Sequence, residues 1–180
     1  MLENDVKKVL FSEEEIRQRC KALGEQITKD YNEMGKVPLL VALLKGSVPF
    51  LCELMKYIDL PIEVDFMIVS SYDGTESVGE VHVVKDLSRS IRGTSILIVE
   101  DIVDTGRTLH SISNLLLHKG ASDVKIVSLL DKPERRVVDV TVDYAGFPCP
   151  NEFVIGFGLD FNEKYRNLGY VGVLKEELYK

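Results

Sequence analysis

The chain has 180 residues and a formal net charge of −7, and 45% of its residues are hydrophobic. This length and composition fit one globular domain over residues 1–180, and the acidic balance opposes nonspecific binding to nucleic acid, which relies on clustered Lys and Arg. The sequence has no run of ~18 apolar residues that would span a bilayer, and its N-terminus lacks the apolar centre of a signal peptide. We therefore expect a cytoplasmic protein that binds neither membranes nor nucleic acid.

A long amphipathic helix is the first predicted element. Ser12 and Glu15 have the spacing of a capping box, in which each side chain bonds to the other residue's backbone N–H. An apolar stripe with helical spacing follows and stops near Gly35. The continuous apolar run over residues 38–44 then predicts a strand that is covered on both faces.

The rest of the chain alternates between strand and helix patterns. Ser47 is expected to begin a second helix, whose core positions are Leu51, Leu54, Met55 and Ile58. A third helix is predicted to end near Gly120. Residues 72–80 contain two glycines and no apolar periodicity, which indicates a mobile loop or hairpin arm. Further strands are predicted over residues 64–69, 81–84, 95–99, 124–130 and 153–157. Such alternation predicts an α/β fold with a mainly parallel sheet.

Residues 96–109, ILIVEDIVDTGRTL, carry the strongest chemical signal. A very apolar strand ends in Glu100 and Asp101, and Asp104 follows at the start of the third helix. In α/β sheets, ligands bind beyond the carboxyl ends of the strands. Thr105, Gly106 and Thr108 supply hydroxyls, small side chains and free backbone N–H groups at the start of a helix. This combination suits a phosphate monoester.

These residues also have structural explanations. Asp104 or Thr105 could cap the helix, and Glu100 with Asp101 could form a charged strand end. Three carboxylates nevertheless fall within five positions at the end of a very apolar strand, and burying or crowding them is costly unless cations or hydrogen bonds compensate their charge. Mg²⁺ with an anionic substrate would provide that compensation, because this ion prefers carboxylates, water and phosphate oxygens.

Residues 99–109, VEDIVDTGRTL, resemble the phosphoribosyl-pyrophosphate motif of the type I phosphoribosyltransferases, and most closely that of the hypoxanthine-guanine members. Other segments that resemble this family occur in the family's order, at residues 44–47, 71–72, 128–132, 153–160, 162–163 and 166. The resemblance implies the type I phosphoribosyltransferase fold. In that α/β fold, a mainly parallel twisted sheet is flanked by helices, and the terminal segments of the chain form a small hood.

The resemblance implies roles for the central motif. Glu100 and Asp101 would hold the ribose hydroxyls directly or through Mg²⁺, and Asp104 would be the general base or acid facing N7 of a purine. The cradle for the 5′-phosphate would consist of Asp104, Thr105, Gly106, Arg107 and Thr108. We assign no special role to the Arg107 side chain, since the family varies between Lys and Arg there.

A second implied group would bind pyrophosphate. Lys45 and Gly46 resemble the short pyrophosphate loop, in which relatives often have a cis peptide bond before the Lys. Ser47 stands where some relatives have a second Gly, and it could also be a plain helix N-cap. Arg166 would grip the pyrophosphate with its guanidinium fork, and Asp160 would ligate a second Mg²⁺.

The remaining implied residues would surround the purine. Lys132 would point at the 6-oxo group, Phe153 would stack on the ring, and the Val154 backbone would bond to the ring edge. Without the resemblance, Lys132 would be a solvated turn residue and Phe153 a core aromatic. Ser71 and Tyr72 would begin a loop that closes over the reacting centre and excludes water.

The implied reaction is the Mg²⁺-dependent transfer of ribose 5-phosphate from phosphoribosyl pyrophosphate to hypoxanthine or guanine in purine salvage. The products would be a purine nucleoside monophosphate (IMP or GMP) and pyrophosphate, and the enzyme would be a homo-oligomer, either a dimer or a tetramer. A nucleotide-sensing regulator that shares the fold and binds RNA would need a basic surface. An adenine enzyme would not favour the donor at Lys132, and a dead scaffold would not retain Asp104. A xanthine-preferring enzyme stays open, because xanthine carries the same 6-oxo group.

Overall fold

The computed structural model describes residues 2–71 and 81–179 of the chain. Its strands are β1 Val6–Phe11, β2 Leu39–Leu43, β3 Glu63–Ser71, β4 Val81–Lys85, β5 Ser95–Val103, β6 Asp123–Asp131, β7 Tyr144–Pro148, β8 Val154–Ile155 and β9 Val171–Leu174. Its α-helices are α1 Glu13–Met34, α2 Val48–Leu54 and α3 Arg107–His118. Short 3₁₀ turns cover Leu2–Asp5, Met55–Tyr57, Pro133–Arg135 and Glu176–Leu178.

The main sheet has the strand order β4-β3-β2-β5-β6-β7, and every neighbouring pair is parallel except β3 with β4. The predicted α/β fold with a mainly parallel sheet is therefore confirmed. Strands β2 and β5 are neighbours in the centre of the sheet. β3, which follows β2 in the chain, lies on one side of this pair, and β6, which follows β5, lies on the other side. Ligands of open α/β sheets bind at such a reversal, beyond the carboxyl ends of the strands. The fold thus places the ligand site between the ends of β2 and β5.

Helices cover both faces of this sheet. Buried side chains of α1 and α2 pack in one apolar cluster with alternate residues of the central strands, and α3 packs on the opposite face. The α1 helix begins with the predicted capping box, in which the Ser12 backbone N–H donates to Glu15 Oε2 at 2.8 Å. The same helix ends at Gly35, whose φ of 63° places it in the left-handed region. Both predicted ends of the helix are confirmed.

A second, three-stranded sheet with the order β1-β9-β8 is the predicted hood of terminal segments. Its strands are antiparallel. The prediction of a core strand over residues 153–157 is wrong, because only Val154–Ile155 is extended and it pairs with β9 in this hood. The sequence patterns did not reveal β1, β7 or β9. β1 is largely exposed and β7 contains Gly and Pro, so neither has the continuous apolar pattern of a core strand.

Two further predictions need correction. Strand β5 does not stop at Val99 but continues to Val103, because its pairing with β6 extends as far as Asp131. Helix α2 ends at Leu54, so Met55, predicted to be buried, lies in a 3₁₀ turn and is 39% exposed. The predicted loop over residues 72–80 lies outside the described residues. Within the residues the structure covers, no helix is long and apolar enough to cross a membrane.

Candidate active site

Three segments meet at the reversal point of the sheet. The turn after β2 covers residues 44–47, and its Leu44–Lys45 peptide bond is cis. A Cβ atom at Gly46 would overlap the carboxylate oxygen Oδ2 of Asp101 on β5. A Cβ atom at Gly158, whose φ is +100°, would overlap the backbone oxygen of Gly46. The two glycines therefore allow the turn, the central strand and the segment after β8 to approach each other closely.

Two adjacent carboxylates lie at the centre of this junction. Asp101 is 9% exposed, and its Oδ1 accepts a hydrogen bond from the Ile102 N–H at 2.8 Å. Oε2 of Glu100 is buried and has no hydrogen-bond partner among the residues the structure describes. Burial, reinforced by the neighbouring Asp101, raises the pKa of Glu100 well above its ordinary 4.5. Burial also raises the pKa of Asp101. The pair is therefore costly to ionise unless a cation compensates its charge.

The chemistry of this pair fits Mg²⁺. Across residues 2–71 and 81–179, no three His, Cys, Asp or Glu side chains form a group that could hold a metal by themselves. Mg²⁺, however, commonly binds through one or two carboxylates, with water and substrate phosphates as its other ligands. Glu100 and Asp101, one of them with an unpartnered oxygen, meet that requirement.

Asp160, the third predicted metal ligand, occupies a separate place. Its Oδ1 lies 2.8 Å from Nη2 of Arg166, and its Oδ2 accepts the Glu163 N–H at 2.9 Å. Arg166 also donates through Nη1 to the Gly158 backbone oxygen at 2.7 Å. The predicted residues Asp160 and Arg166 thus form one unit, in which both oxygens of the carboxylate are engaged.

A small cavity of about 140 Å³ lies at the N-terminus of α3. Its lining includes four predicted residues beside Glu100: Asp104, Thr105, Gly106 and Thr108. Gly106 has φ +82°, and a Cβ there would also lie 2.8 Å from Cδ of Arg136. The first helical hydrogen bond runs from the His110 N–H to the Gly106 oxygen, so earlier N–H groups of this turn lack an intrahelical acceptor. The cavity can therefore hold a phosphate-sized anion. The Arg107 side chain is exposed.

Two arginines that were not predicted from the sequence as site residues contact Asp104. Nε of Arg135 lies 2.6 Å from the Asp104 carboxylate oxygen Oδ1. Nη1 of Arg136 donates to the Asp104 backbone oxygen at 2.6 Å, and Nη2 of the same residue pairs with Asp131. The sequence revealed only a charged turn here. Its contact with Asp104 depends on how β5 and β6 lie side by side.

A larger cavity of about 590 Å³ adjoins the small one, because Ile102 and Asp104 line both. Apolar walls come from Ile102, Val154, Leu159 and Val173. Lys132, also in the lining, is only 8% exposed, and its Nζ donates to the Glu152 backbone oxygen at 2.9 Å. An ammonium has three N–H donors, so this bond leaves donors for a ligand. Lys132 is thus a buried cavity residue rather than a solvated turn residue.

Phe153 lines the larger cavity and is 38% exposed, which differs from a core aromatic. Its ring stacks on Tyr179 with centroids 5.0 Å apart and lies perpendicular to the Phe161 ring with centroids 5.5 Å apart. Tyr179 and Lys7, near the two ends of the chain, line the same cavity. Neither residue was predicted from the sequence, because no local pattern indicates where a chain terminus packs.

The predicted residues Ser71 and Tyr72 are only partly accounted for. Ser71 is the last residue of β3 and pairs with Val81 of β4. Tyr72 lies outside the described residues. Their predicted role in closing the site stays a prediction.

Comparisons with known proteins agree with this geometry. The phosphoribosyl transferase domain family matches residues 10–162. The chain is 58% identical to the hypoxanthine-guanine phosphoribosyltransferase of Streptococcus thermophilus, over 99% of both chains. A crystal structure of a hypoxanthine phosphoribosyltransferase from Staphylococcus aureus superposes with a TM-score of 0.94 at 51% identity, covering 99% of this chain and 97% of the other. A hypoxanthine phosphoribosyl transferase from Trypanosoma cruzi has a TM-score of 0.92 at 40% identity, covering 97% and 94%.

The contact between Gly46 and Asp101 predicts that Gly46→Ala destabilises the protein. The added methyl group must displace the Asp101 carboxylate or the turn, and such overpacking costs about 1–3 kcal/mol. Urea unfolding measures this change. Gly169→Ala is the matched control, because its methyl group would meet only the flexible Glu13 carboxylate, at 3.2 Å. Equal effects of the two substitutions would contradict the close contact at Gly46.

The raised pKa of Glu100 predicts that Glu100→Gln stabilises the metal-free protein at neutral pH. Because the folded pKa lies above the unfolded value of 4.5, wild-type stability falls as pH rises from 4.5 towards the folded pKa. The neutral variant lacks this loss of stability, so its advantage over wild type should be absent near pH 4 and should grow as the pH rises above 4.5. Thermal unfolding in the presence of a chelator measures it. Glu33→Gln, on an exposed helix face, should give no such trend.

Proposed function

Because this chain belongs to the hypoxanthine-guanine phosphoribosyltransferase family of purine salvage enzymes, we propose that it transfers ribose 5-phosphate from phosphoribosyl pyrophosphate to hypoxanthine or guanine. The products would be IMP or GMP and pyrophosphate. The buried Lys132 ammonium carries the choice of base, since it lies in the larger cavity, which Phe153 and Asp104 also line. A donor fixed there favours a 6-oxo acceptor over the amino group of adenine.

The two adjoining cavities support the placement of both substrates. The smaller one, at the N-terminus of α3, suits the 5′-phosphate, and the larger one suits the purine base. Ile102 and Asp104 line both cavities, so a ribose that joins phosphate to base would lie beside them. The Glu100 and Asp101 carboxylates precede these residues on β5 and would hold the ribose hydroxyls.

The proposed reaction is a displacement at the anomeric carbon of the ribose. The purine N9 forms a bond to that carbon as the bond to the pyrophosphate oxygen breaks, and no covalent enzyme intermediate is required. Asp104 would take or stabilise the proton at N7 of the base. Oδ1 of Asp104 has no hydrogen-bond partner among the described residues, which supports this role because the oxygen is available to the base. Nε of Arg135 lies 2.6 Å from it as an ion-pair contact.

We further propose that Glu100 and Asp101 hold Mg²⁺, with Asp160 as ligand of a second ion. When bound, the metal would neutralise negative charge on the departing pyrophosphate. The unpartnered Oε2 of Glu100 supports the first site. For the second, Asp160 would have to exchange its contact with Arg166 for the ion. Lys45 and Arg166 would bind the pyrophosphate itself.

Water exclusion depends on the apolar walls of the base cavity. Ile102, Val154 and Leu159 line it, and the stacked rings of Phe153 and Tyr179 form part of the same boundary. Apolar side chains beside the ribose would help to keep water away from the activated sugar. The cytoplasmic location, the single domain over residues 1–180 and the dimer or tetramer stay predictions.

The proposed reaction predicts pyrophosphate release when the protein receives phosphoribosyl pyrophosphate, Mg²⁺ and hypoxanthine or guanine. Asp104→Asn should lower kcat by about 10²–10⁴-fold, the usual contribution of a general acid or base. The assay runs hypoxanthine, guanine, xanthine and adenine in parallel and repeats the productive base with a chelator. Asp59→Asn, at an exposed position, is the matched control.

Two outcomes would overturn the proposal. No turnover with any base, despite binding of phosphoribosyl pyrophosphate, would favour a regulatory protein with this fold. Turnover of xanthine well above that of hypoxanthine and guanine would support the proposed reaction but make xanthine the preferred base.

The position of Lys132 predicts that Lys132→Met lowers kcat/KM for hypoxanthine by about 10–100-fold, the scale of a lost hydrogen bond to a charged group. The ratio of hypoxanthine to adenine turnover should fall, and the KM for phosphoribosyl pyrophosphate should stay within a factor of two. Lys7→Met is the control, because Lys7 lines the same cavity but is half exposed and paired with Glu176. An equal effect of both variants would contradict the assignment of Lys132 as the residue that selects the purine base.

A further inference from the structure

We infer that the Glu163 carboxylate occupies the pyrophosphate subsite of the free enzyme as an internal anion, and that it thereby weakens the binding of pyrophosphate. This inference rests on the proposed function, which assigns Lys45 and Arg166 to pyrophosphate. That assignment gives Glu163 no role. The contacts of its side chain indicate that it belongs to the same subsite.

One carboxylate bridges both cations of the subsite. Oε2 of Glu163 lies 2.8 Å from Nζ of Lys45, and Oε1 lies 3.1 Å from Nη2 of Arg166. Lys45 belongs to the turn after β2, and Arg166 belongs to the segment after β8. Two oxygens on one carbon, each facing a different cation, resemble the oxygens of a phosphoryl group between the same two side chains.

The backbone is shaped to present this side chain. Asn162 has φ 51° and Glu163 has φ 63°, both in the left-handed region. Asn tolerates this conformation, whereas Glu rarely adopts it. The Glu163 N–H donates to Asp160 Oδ2 at 2.9 Å, which helps to fix the turn. Unfavourable backbone conformations of this kind persist where surrounding structure enforces them, and they cluster at ligand sites.

The charges of the subsite cancel in the free protein. Lys45 and Arg166 contribute two positive charges, and Asp160 and Glu163 contribute two negative charges. An arriving pyrophosphate must therefore displace Glu163 from both cations. The displacement is feasible because the Glu163 side chain is 63% exposed and can turn into solvent. Exposed ion pairs are weak, each worth up to a few-fold in an equilibrium constant, so the two contacts reduce affinity without preventing binding.

This arrangement has a use in catalysis. Glu163 reduces the repulsion between Lys45 and Arg166 and keeps the two side chains in place until the substrate arrives. After the reaction, the same carboxylate can compete with pyrophosphate for the cations and so promote its release. Removal of the charge should therefore strengthen the retention of pyrophosphate and increase product inhibition.

Calorimetric titration of the full-length enzyme with inorganic pyrophosphate, at fixed Mg²⁺, tests the inference. Glu163→Gln should bind pyrophosphate about 3–10-fold more tightly than wild type, the combined scale of two exposed ion pairs. The inhibition constant of pyrophosphate should fall by the same factor, while the KM for hypoxanthine stays unchanged. Glu163→Asn is a second neutral variant that suits the left-handed backbone, and it should shift affinity in the same direction.

Glu33→Gln is the matched control, because it removes the same charge from an exposed ion pair with Lys29 on α1. It should leave pyrophosphate binding at the wild-type value. Wild-type or weaker pyrophosphate binding by both Glu163 variants would overturn the inference while leaving the proposed function intact. A wild-type protein that neither binds pyrophosphate nor turns over a purine would instead overturn the proposed function.

Discussion

Two adjacent carboxylates, buried where the central strand meets the ligand cavities, are the constraint on which the site depends. Glu100 and Asp101 cannot both be charged there at low cost, and burial raises the pKa of each. Asp101 has room only because residue 46 is a glycine. The arrangement costs stability in the free protein, and a bound cation of the kind proposed here would offset that cost. This is the usual relation between a strained active site and its ligand.

Charge balance extends outward from this pair. Arg135 contacts the Asp104 carboxylate, and Arg166 contacts Asp160 and Glu163. Each acidic group of the outer site is thus matched with a cation that the chain itself supplies. Anionic substrates and a metal would exchange these internal partners for external ones. Such exchange keeps binding reversible, because much of the attraction to a ligand is offset by contacts that are lost.

The larger cavity is lined by residues from distant parts of the chain. The buried Lys132 follows β6, Ile102, which lines both cavities, lies on β5, and Tyr179 comes from the last residues of the chain. The hood sheet brings the chain termini to this place, since β1 pairs with β9 and β9 pairs with β8. The terminal segments therefore belong to the site and are not a separate appendage. Local patterning could not reveal this, because β1 is mostly exposed and β8 is only two residues long.

The sequence by itself determined the α/β class, the ends of α1 and the location of the central motif, because capping, apolar periodicity and strand-to-helix order are local properties. Family resemblance added Lys132, Phe153 and Val154, which line the larger cavity. Only the tertiary structure decided that Asp104 is held by Arg135 and that Glu163 bridges Lys45 and Arg166. Lys45 and Glu163 are 118 positions apart, and their contact exists only because the turn after β2 and the segment after β8 pack together. Two residues that are so far apart in the chain leave no periodic pattern in the sequence that would predict their contact. Such a contact can be identified only in the folded structure.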